Sequence, residues 1–265
     1  MLLSFLAAWL ILPYLVAMIQ RGGMVRDNWQ GIGIPAITGV IFPLVLSFSL
    51  LPCLWTEERN TVPLFLLAIL GAAVAGLLDD LSGGSYPRGL LPHFRYFFQE
   101  KKLSTGLVKA ILISTIAGWV VFLSGGKNLA MLLDWLLLVL TVNSINLLDL
   151  RPGRALKGTI FLFIWSALFV PERALLFAAL GVIFAYAPYD LQGKAMLGDT
   201  GSNVLGMIGG LLLLATPFLV RLILLCLLIT LHVVTIKYSL SVLIEKNPWL
   251  KRIDEWGRAS LPGRV

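Results

Sequence analysis

The sequence predicts an all-α protein, a polytopic bundle of transmembrane helices, and its composition and apolar runs carry this prediction. Hydrophobic residues make up 58% of the 265 positions and charged residues only 13%, and the mean hydropathy is +0.89. Soluble domains carry about 25% charged residues, so this composition excludes one or two ordinary soluble domains. Apolar runs recur along the whole chain without a long linker or a clear repeat between them. We therefore expect a single integral membrane domain over residues 1–265.

About nine apolar runs are candidate membrane spans by the hydropathy criterion. Several are shorter than the ~20 residues that an upright helix needs, so their ends can move by a turn or more. The first run follows no basic residue and lacks a convincing cleavage site, so we interpret it as a retained helix. The predicted spans are Leu2–Ile19, Ile34–Leu54, Val62–Leu78, Leu107–Ser124, Leu129–Val142, Thr159–Val170, Ala174–Ala187, Val204–Thr216 and Phe218–Ile244.

The basic residues predict the orientation of these spans. Nine spans put the two termini on opposite sides of the membrane. Of the 21 Lys and Arg residues, the loops of one side then hold only Arg59, Lys127, Arg173 and Arg221. Because basic residues accumulate in cytoplasmic loops, the N-terminus is predicted to lie outside and the C-terminus in the cytoplasm. The net charge of +7 lies in loops between spans, without a basic motif with interleaved aromatics, so we expect no nucleic-acid partner.

An aspartate pair stands out among the loops of the predicted cytoplasmic side. Asp79 and Asp80 end the apolar run that begins at Val62. Two carboxylates at the mouth of a membrane helix are costly unless a cation neutralises them, but a water-exposed helix end explains them equally well. With Asp199 from another loop of that side, they could hold Mg²⁺, which takes one or two carboxylates and leaves other positions to water and phosphate. With one aspartate on the metal, the other can act as a base or hold the nucleophile.

Asn143, Asn146 and Asp149 recur at a spacing of three residues near the end of a predicted span. On a helix or a tight turn they share one face, and this register favours a polar site over plain solvation. Arg151 and Arg154 continue the spacing. Marking of the membrane orientation by positive charge explains these two arginines at least as well as contact with a phosphate.

Four further positions are candidates for substrate contact. Lys109 lies just inside an apolar span, where an ammonium group must reach the interface or meet an anion. Gly201 and Ser202 precede a predicted span, and helix starts offer free backbone N–H groups to a phosphate. An ordinary helix cap is the alternative for Ser202. His93 lies in the loop after Asp80, where polar surface is the commoner role of a lone histidine.

In their order along the chain, these motifs resemble the polyprenyl-phosphate N-acetylhexosamine-1-phosphate transferases, the MraY/WecA-like family. The chain is identified as a short, divergent member. The matching segments fall on one predicted side of the membrane. They are Asn28-Trp29-Gln30-Gly31 (loosely, with Pro35 and Gly39), Leu78-Asp79-Asp80, residues 103–107 with Lys109, Asn143-x-x-Asn146-x-x-Asp149, and residues 197–202 with Leu205 and Gly206.

The resemblance implies a Mg²⁺-dependent enzyme, with Mn²⁺ as an alternative ion, in a bacterial or archaeal cell membrane. It would transfer a sugar phosphate from a nucleotide sugar, a UDP-sugar first among the candidates, to polyprenyl phosphate and release nucleoside monophosphate, in cell-wall or surface-polysaccharide synthesis. A homodimer is compatible with it. Carried over, Asp80 and Asp199 are the metal ligands and Asp79, Asp80 and Asp149 the catalytic candidates, the roles of Asp79 and Asp80 being interchangeable. The implied substrate contacts are Lys109, Asn143, Asn146, Arg151, Arg154, Gly201, Ser202, Asn28 and His93.

Two departures from the family pattern concern recognition of the donor. The family motif reads Asp-Gly-x-Asp-Gly-Leu-Ala, and Pro152 stands where its second acid, associated with the nucleobase, would be. The sequence shows no His-rich loop before the last helix and no tenth span; residues 254–258 are one candidate for sugar recognition instead. A non-catalytic lipid-phosphate binder or scaffold is therefore the alternative function. An ion-coupled transporter ranks last, because its acids should lie near the middle of the bilayer.

Overall fold

Eleven α-helices account for most of the described residues, which are 1–82, 99–101, 103–125, 128–170 and 173–258 of this computed structural model, without the side chains of Glu57 and Glu58. The prediction of an all-α protein is confirmed. The helices are α1 (Leu2–Arg21), α2 (Ile41–Ser49), α3 (Val62–Ser82), α4 (Thr105–Leu123), α5 (Asn128–Leu148), α6 (Arg154–Ser166), α7 (Ala174–Leu191), α8 (Gly198–Leu213), α9 (Phe218–Lys237), α10 (Leu240–Lys246) and α11 (Pro248–Glu255).

A small antiparallel hairpin follows α1. Its strands are β1 (Val25–Asp27) and β2 (Gly33–Pro35), and Val25 pairs with Pro35. The side chain of Asn28 closes the turn, because its Oδ1 accepts hydrogen bonds from the backbone N–H groups of Gln30 at 2.8 Å and Ile32 at 3.1 Å. The second span therefore starts later than predicted, since Ile34 belongs to this hairpin.

Seven segments among the described residues are helical, long and apolar enough to cross a membrane, judged by length and composition. They are α1, α3, α4, α5, α7, α9 and the segment Thr38–Trp55, in which short 3-10 helices flank α2. The predicted spans Thr159–Val170 and Val204–Thr216 coincide with α6 and α8, which have only 13 and 16 residues. The count of nine spans and the positions of the termini therefore stay predictions.

The predicted last span is divided in the structure. α9 ends at Lys237 because Tyr238 and Ser239 adopt extended backbone conformations, with ψ values of 134° and 128°. The chain then continues in two short helices, α10 and α11. The predicted end at Ile244 is thus wrong by more than one turn.

Helix α8 lies at the centre of the bundle. Every residue from Thr200 to Leu213 is buried, and α8 packs against α3, α5 and α6. Small residues permit the close approach: a Cβ atom on Gly76 of α3 would lie 2.3 Å from the Asp199 carbonyl oxygen, and one on Gly206 would lie 2.6 Å from the Cα atom of Val142 in α5. This packing brings the last turn of α3 to the first turn of α8.

Candidate active site

Asp80 caps the start of α8 from another helix. Its Oδ1 accepts a hydrogen bond from the Asp199 backbone N–H at 3.1 Å. Its Oδ2 accepts from the backbone N–H and the hydroxyl of Thr200 at 2.9 and 2.7 Å. The first N–H groups of a helix have no partner within the helix and favour a negative charge nearby. Asp80 is only 4% exposed, so its carboxylate chiefly positions the backbone of Asp199.

The carboxylates of Asp79 and Asp199 share one cation, the Lys109 ammonium group. Lys109 Nζ lies 2.5 Å from Asp79 Oδ2 and 3.1 Å from Asp199 Oδ2. Lys109 is held in the first turn of α4, where the Ser104 side chain accepts a hydrogen bond from the Leu107 N–H. The predicted anion for Lys109 is thus a pair of carboxylates, and three helices meet at this group.

Asn146 of α5 adds a fourth helix to the cluster. Its amide Nδ2 donates to Asp199 Oδ1 and, at 2.9 Å, to Ser202 Oγ. Ser202 is fully buried inside α8, more than one turn after its start, rather than at its cap, and Gly201 is buried against Gly39 and Leu197. Asn146 therefore joins the carboxylates, while Gly201 and Ser202 serve internal packing and hydrogen bonding.

Asn143 lies one turn before Asn146 but contacts a different helix. Its Nδ2 lies 2.8 Å from His232 Nε2 in α9, and His232 Nδ1 lies 2.7 Å from the Leu228 carbonyl oxygen. Because a carbonyl oxygen only accepts, we assign the imidazole proton to Nδ1, which leaves Nε2 to accept from Asn143. The structure therefore does not bring Asn143 to the carboxylate cluster.

A polar cavity of about 170 Å³ adjoins the cluster. Its walls come from the hairpin, from the segment 149–152 after α5 and from residues 193–199 before and at the start of α8. Burial, together with the carboxylates of Asp190, Asp199 and Asp80, raises the pKa of Asp149 well above its usual range. Asp149 lines the cavity, as do Arg26, Asn28, Arg151 and Asp199.

Asp190, at the end of α7, is a site residue that the motif analysis missed. It is 5% exposed, lines the cavity and accepts a hydrogen bond from the Gly153 N–H at 2.8 Å. It thereby fixes the loop that follows Asp149. Like Asp79 and Asp80, it ends an apolar run on the side of the basic loops, and this shared signal could have identified it.

Arg154, predicted to contact a substrate, is instead engaged inside the protein. Its Nε and Nη2 donate to the two carboxylate oxygens of Asp254 in α11 at 2.8 and 2.9 Å, and its Nη1 donates to Ser241 Oγ at 3.0 Å. Arg258 pairs with Asp254 at 3.1 Å and donates to the Pro152 carbonyl oxygen. These contacts occupy Asp254 and Arg258, which the sequence analysis considered for sugar recognition. His93 lies outside the described residues.

No group of three or more His, Cys, Asp or Glu side chains that could hold a metal ion occurs in the part of the chain that the structure describes. The pair Asp79 and Asp199 nevertheless fits Mg²⁺, because both carboxylates already face one cationic group. Such an ion takes one or two protein carboxylates and completes its shell with water and phosphate oxygens.

The profile of the glycosyl transferase family 4 matches residues 62–217, more than half of the chain. The match runs from α3 to the residue before α9 and includes the carboxylate cluster, Asn143, Asn146 and Asp149. The chain belongs to the glycosyl transferase family 4. This result confirms the resemblance to the MraY/WecA-like family. A comparison with curated proteins gives no match.

Membership of glycosyl transferase family 4 agrees with the apolar helices and supports a membrane phosphosugar transferase with multiple spans. The match leaves out α1, the hairpin, α2 and α9–α11. Arg26 and Asn28 in the cavity wall, and Asp254 on the other side of the 150–154 loop, therefore come from parts of this family 4 chain that lie beyond the matched domain.

Proposed function

We propose that this protein transfers a sugar phosphate from a UDP-sugar to polyprenyl phosphate, in a Mg²⁺-dependent reaction that releases nucleoside monophosphate on the cytoplasmic side of the membrane. The observation that carries the proposal is the Asp79–Lys109–Asp199 cluster, because it joins three helices next to a polar cavity. Phosphoryl transfer chiefly needs positioned charges, and this cluster supplies them at one end of the bundle.

The hydrogen bonds favour Asp79 and Asp199 over Asp80 and Asp199 as ligands for Mg²⁺. Both oxygens of Asp80 accept N–H groups from the start of α8, whereas Asp79 Oδ2 and Asp199 Oδ2 both face the long, flexible side chain of Lys109. When bound, Mg²⁺ would neutralise phosphate charge. Asp80 is then a positioning residue, which differs from the ligand role that the family resemblance implies for it.

Lys109 and Asn146 complete the proposed reaction centre. The ammonium group of Lys109 can turn from the carboxylates to a phosphate and offset its charge, while Asn146 keeps Asp199 in place. In the reaction, an oxygen of the lipid phosphate bonds to the phosphorus next to the sugar. The bond from that phosphorus to the oxygen of the nucleoside monophosphate breaks, and the monophosphate leaves with the electron pair.

The cavity is the proposed place for the nucleotide end of the donor, with Asp149 and Arg151 in its wall. Its volume of about 170 Å³ is smaller than the ~300–1,000 Å³ typical of ligand pockets. Pro152 also lacks the carboxylate of the family motif. These two observations favour the second candidate, a lipid-phosphate binder or scaffold without transfer activity.

The deciding experiment mixes the purified protein with Mg²⁺, undecaprenyl phosphate and a panel of UDP- and CDP-sugars, and measures release of nucleoside monophosphate. We expect release with one donor and none with EDTA. If no donor gives release of nucleoside monophosphate while lipid binding is intact, the protein is the lipid-phosphate binder or scaffold instead.

Variants test the roles within the site. Asp79→Asn and Asp199→Asn should abolish release, whereas Asp27→Asn, an exposed position of the hairpin, should leave it unchanged. An Asp199→Asn protein with wild-type turnover contradicts the metal assignment.

A further inference from the structure

Helix α11 is short but well defined at both ends. Asn247 caps its start, because Oδ1 accepts hydrogen bonds from the backbone N–H groups of Trp249 at 3.0 Å and Leu250 at 3.2 Å. Pro248 occupies the first turn, where its missing N–H costs nothing. At the other end, Lys157 Nζ donates to the carbonyl oxygens of Ile253 and Asp254 at 3.0 and 2.6 Å.

One side of α11 is bound to the protein. Asp254 points inward, and its side chain is only 10% exposed because Arg154 and Arg258 both contact it. Arg154 itself is buried and stands directly after the 150–153 loop. The helix is therefore fixed in rotation about its own axis.

The other side of α11 presents large apolar side chains outward. Trp249 and Ile253 lie four residues apart and are 76% and 59% exposed, and Trp256, three residues further on, is 77% exposed. Residues at this spacing share a helix face. The exposed Arg252 lies beside this face, whereas Lys251, which is half exposed, lies on the opposite side of the helix.

The position in the chain indicates what covers this face. Only residues 238–247 separate α11 from α9, a helix long and apolar enough to cross the membrane, so α11 begins within about three turns' length of chain from the end of that helix. Tryptophan is enriched in the head-group layer, where its ring is buried and its N–H stays hydrated. Basic residues beside an apolar face are typical of helices that lie in the interface and attract anionic lipids.

We propose that α11 lies in the head-group layer of the membrane that the protein spans, with Trp249, Ile253 and Trp256 inserted. Anionic phospholipids are then bound by Arg252 of α11 and by Lys246, an exposed residue at the end of α10. Because Asp254 on the opposite side holds Arg154, the docked helix also anchors the loop that forms one wall of the cavity. This inference depends on the membrane location and not on the proposed reaction.

The test uses the full chain with Cys53 and Cys226 replaced by Ala and one new cysteine, Trp249→Cys or Lys251→Cys, carrying a nitroxide label. The protein is reconstituted in vesicles of phosphatidylcholine with and without phosphatidylglycerol, and the accessibility of the label to oxygen and to a water-soluble nickel complex is measured. We expect the label at position 249 to favour oxygen and the label at position 251 to favour nickel, with deeper insertion at position 249 when phosphatidylglycerol is present.

Three outcomes would overturn the proposal. Equal nickel accessibility at both positions means that the face is in water. Shielding from both reagents that grows with the protein-to-lipid ratio means that a second copy covers it. Identical depth in both kinds of vesicle removes the anionic lipids as partner. Ile253→Cys, a smaller change on the same face, replaces Trp249→Cys if that variant does not fold.

Discussion

Asp79 and Asp80 are consecutive residues of α3 whose carboxylates have different partners. Asp79 faces the Lys109 ammonium group, whereas Asp80 faces the N–H groups at the start of α8. In this two-residue motif, the carboxylate of Asp79 can therefore contact a ligand, whereas that of Asp80 stabilises the site. The difference arises because successive residues of a helix point about 100° apart.

The isosteric variants Asp80→Asn and Asp79→Asn should separate these roles. Asp80→Asn places an amide against backbone donors in a buried position, and we expect it to lower the free energy of unfolding by roughly 1–3 kcal/mol. Asp79→Asn should lose transfer activity with little change in stability, because Lys109 keeps Asp199 as a partner. The two variants are compared by thermal unfolding in detergent, followed by tryptophan fluorescence. Equal unfolding midpoints would contradict the division of roles between Asp79 and Asp80.

Asn143 and Asn146 form a second matched pair at the residue scale. Asn146→Ala removes a hydrogen bond to Asp199, and loss of such a supporting contact typically weakens metal affinity on the order of 10–100-fold. Asn143→Ala removes only the contact to His232, so we expect its Mg²⁺ affinity to stay near the wild-type value. The Mg²⁺ affinity of each variant is measured as the Mg²⁺ concentration that gives half-maximal activity. A larger effect for Asn143→Ala would contradict the geometry.

At the scale of elements, the close approach of α8 to α3 brings Asp199 next to Asp79 and Asp80. Gly76→Ala brings a methyl group to 2.3 Å from the Asp199 carbonyl oxygen, and such overpacking costs typically about 1–3 kcal/mol. We expect this variant to lose both stability and transfer activity. Gly118→Ala in α4 is the control, since its nearest atom would lie at 3.8 Å, an ordinary contact. Similar unfolding midpoints for the two variants would show that the close approach is not needed.

The contact between α11 and the start of α6 gives a second prediction for the elements. Asp254→Ala leaves the buried Arg154 guanidinium without its carboxylate, and breaking a buried pair costs about 3–5 kcal/mol. Lys251→Ala interrupts an exposed pair at 3.9 Å, so we expect almost no effect. Chemical denaturation of both variants provides the measurement.

The Asp254 contact should also depend on pH. Burial alone would raise the pKa of Asp254, but the guanidinium groups of Arg154 and Arg258 hold it below its usual value. A lowered pKa in the folded state stabilises the protein above the pKa of the unfolded chain. This contribution is lost as the pH falls through the folded value. The stability difference between wild type and Asp254→Asn should therefore shrink in acid; a constant difference would exclude the ion pair as its cause.

For the whole molecule, the basic residues predict an orientation in the membrane. An odd number of spans places the two termini on opposite sides, and the basic loops predict that the C-terminal end is cytoplasmic. In a chain without Cys53 and Cys226, a single cysteine at Leu2 should react with an impermeant thiol reagent in intact cells, and one at Lys251 only after the cells are permeabilised. Reaction of both from the same face would require an even number of spans.

The fold class and the approximate positions of most helices could be predicted from the amino-acid sequence. Apolar runs indicate the helices directly, so the helical class was confirmed, and the structure has helices at most of the predicted positions. The ends of elements were less accurate, because a hairpin closed by Asn28 and the break at Tyr238 and Ser239 depend on local backbone geometry rather than on apolar periodicity. Asp190 was missed because its partner, Gly153, lies far away in the sequence.

Apolar runs and charge bias are local properties of the chain, and they were enough to predict a multi-span helical membrane protein whose acids and amides gather at one predicted side. The three-dimensional structure fixes which of these polar groups meet. It joined Asp79, Lys109, Asn146 and Asp199, turned Asn143 towards His232, and engaged Asp80 and Arg154 in contacts within the protein. Partners on different helices are selected by packing, and close approaches such as that at Gly76 are visible only once the helices are in contact.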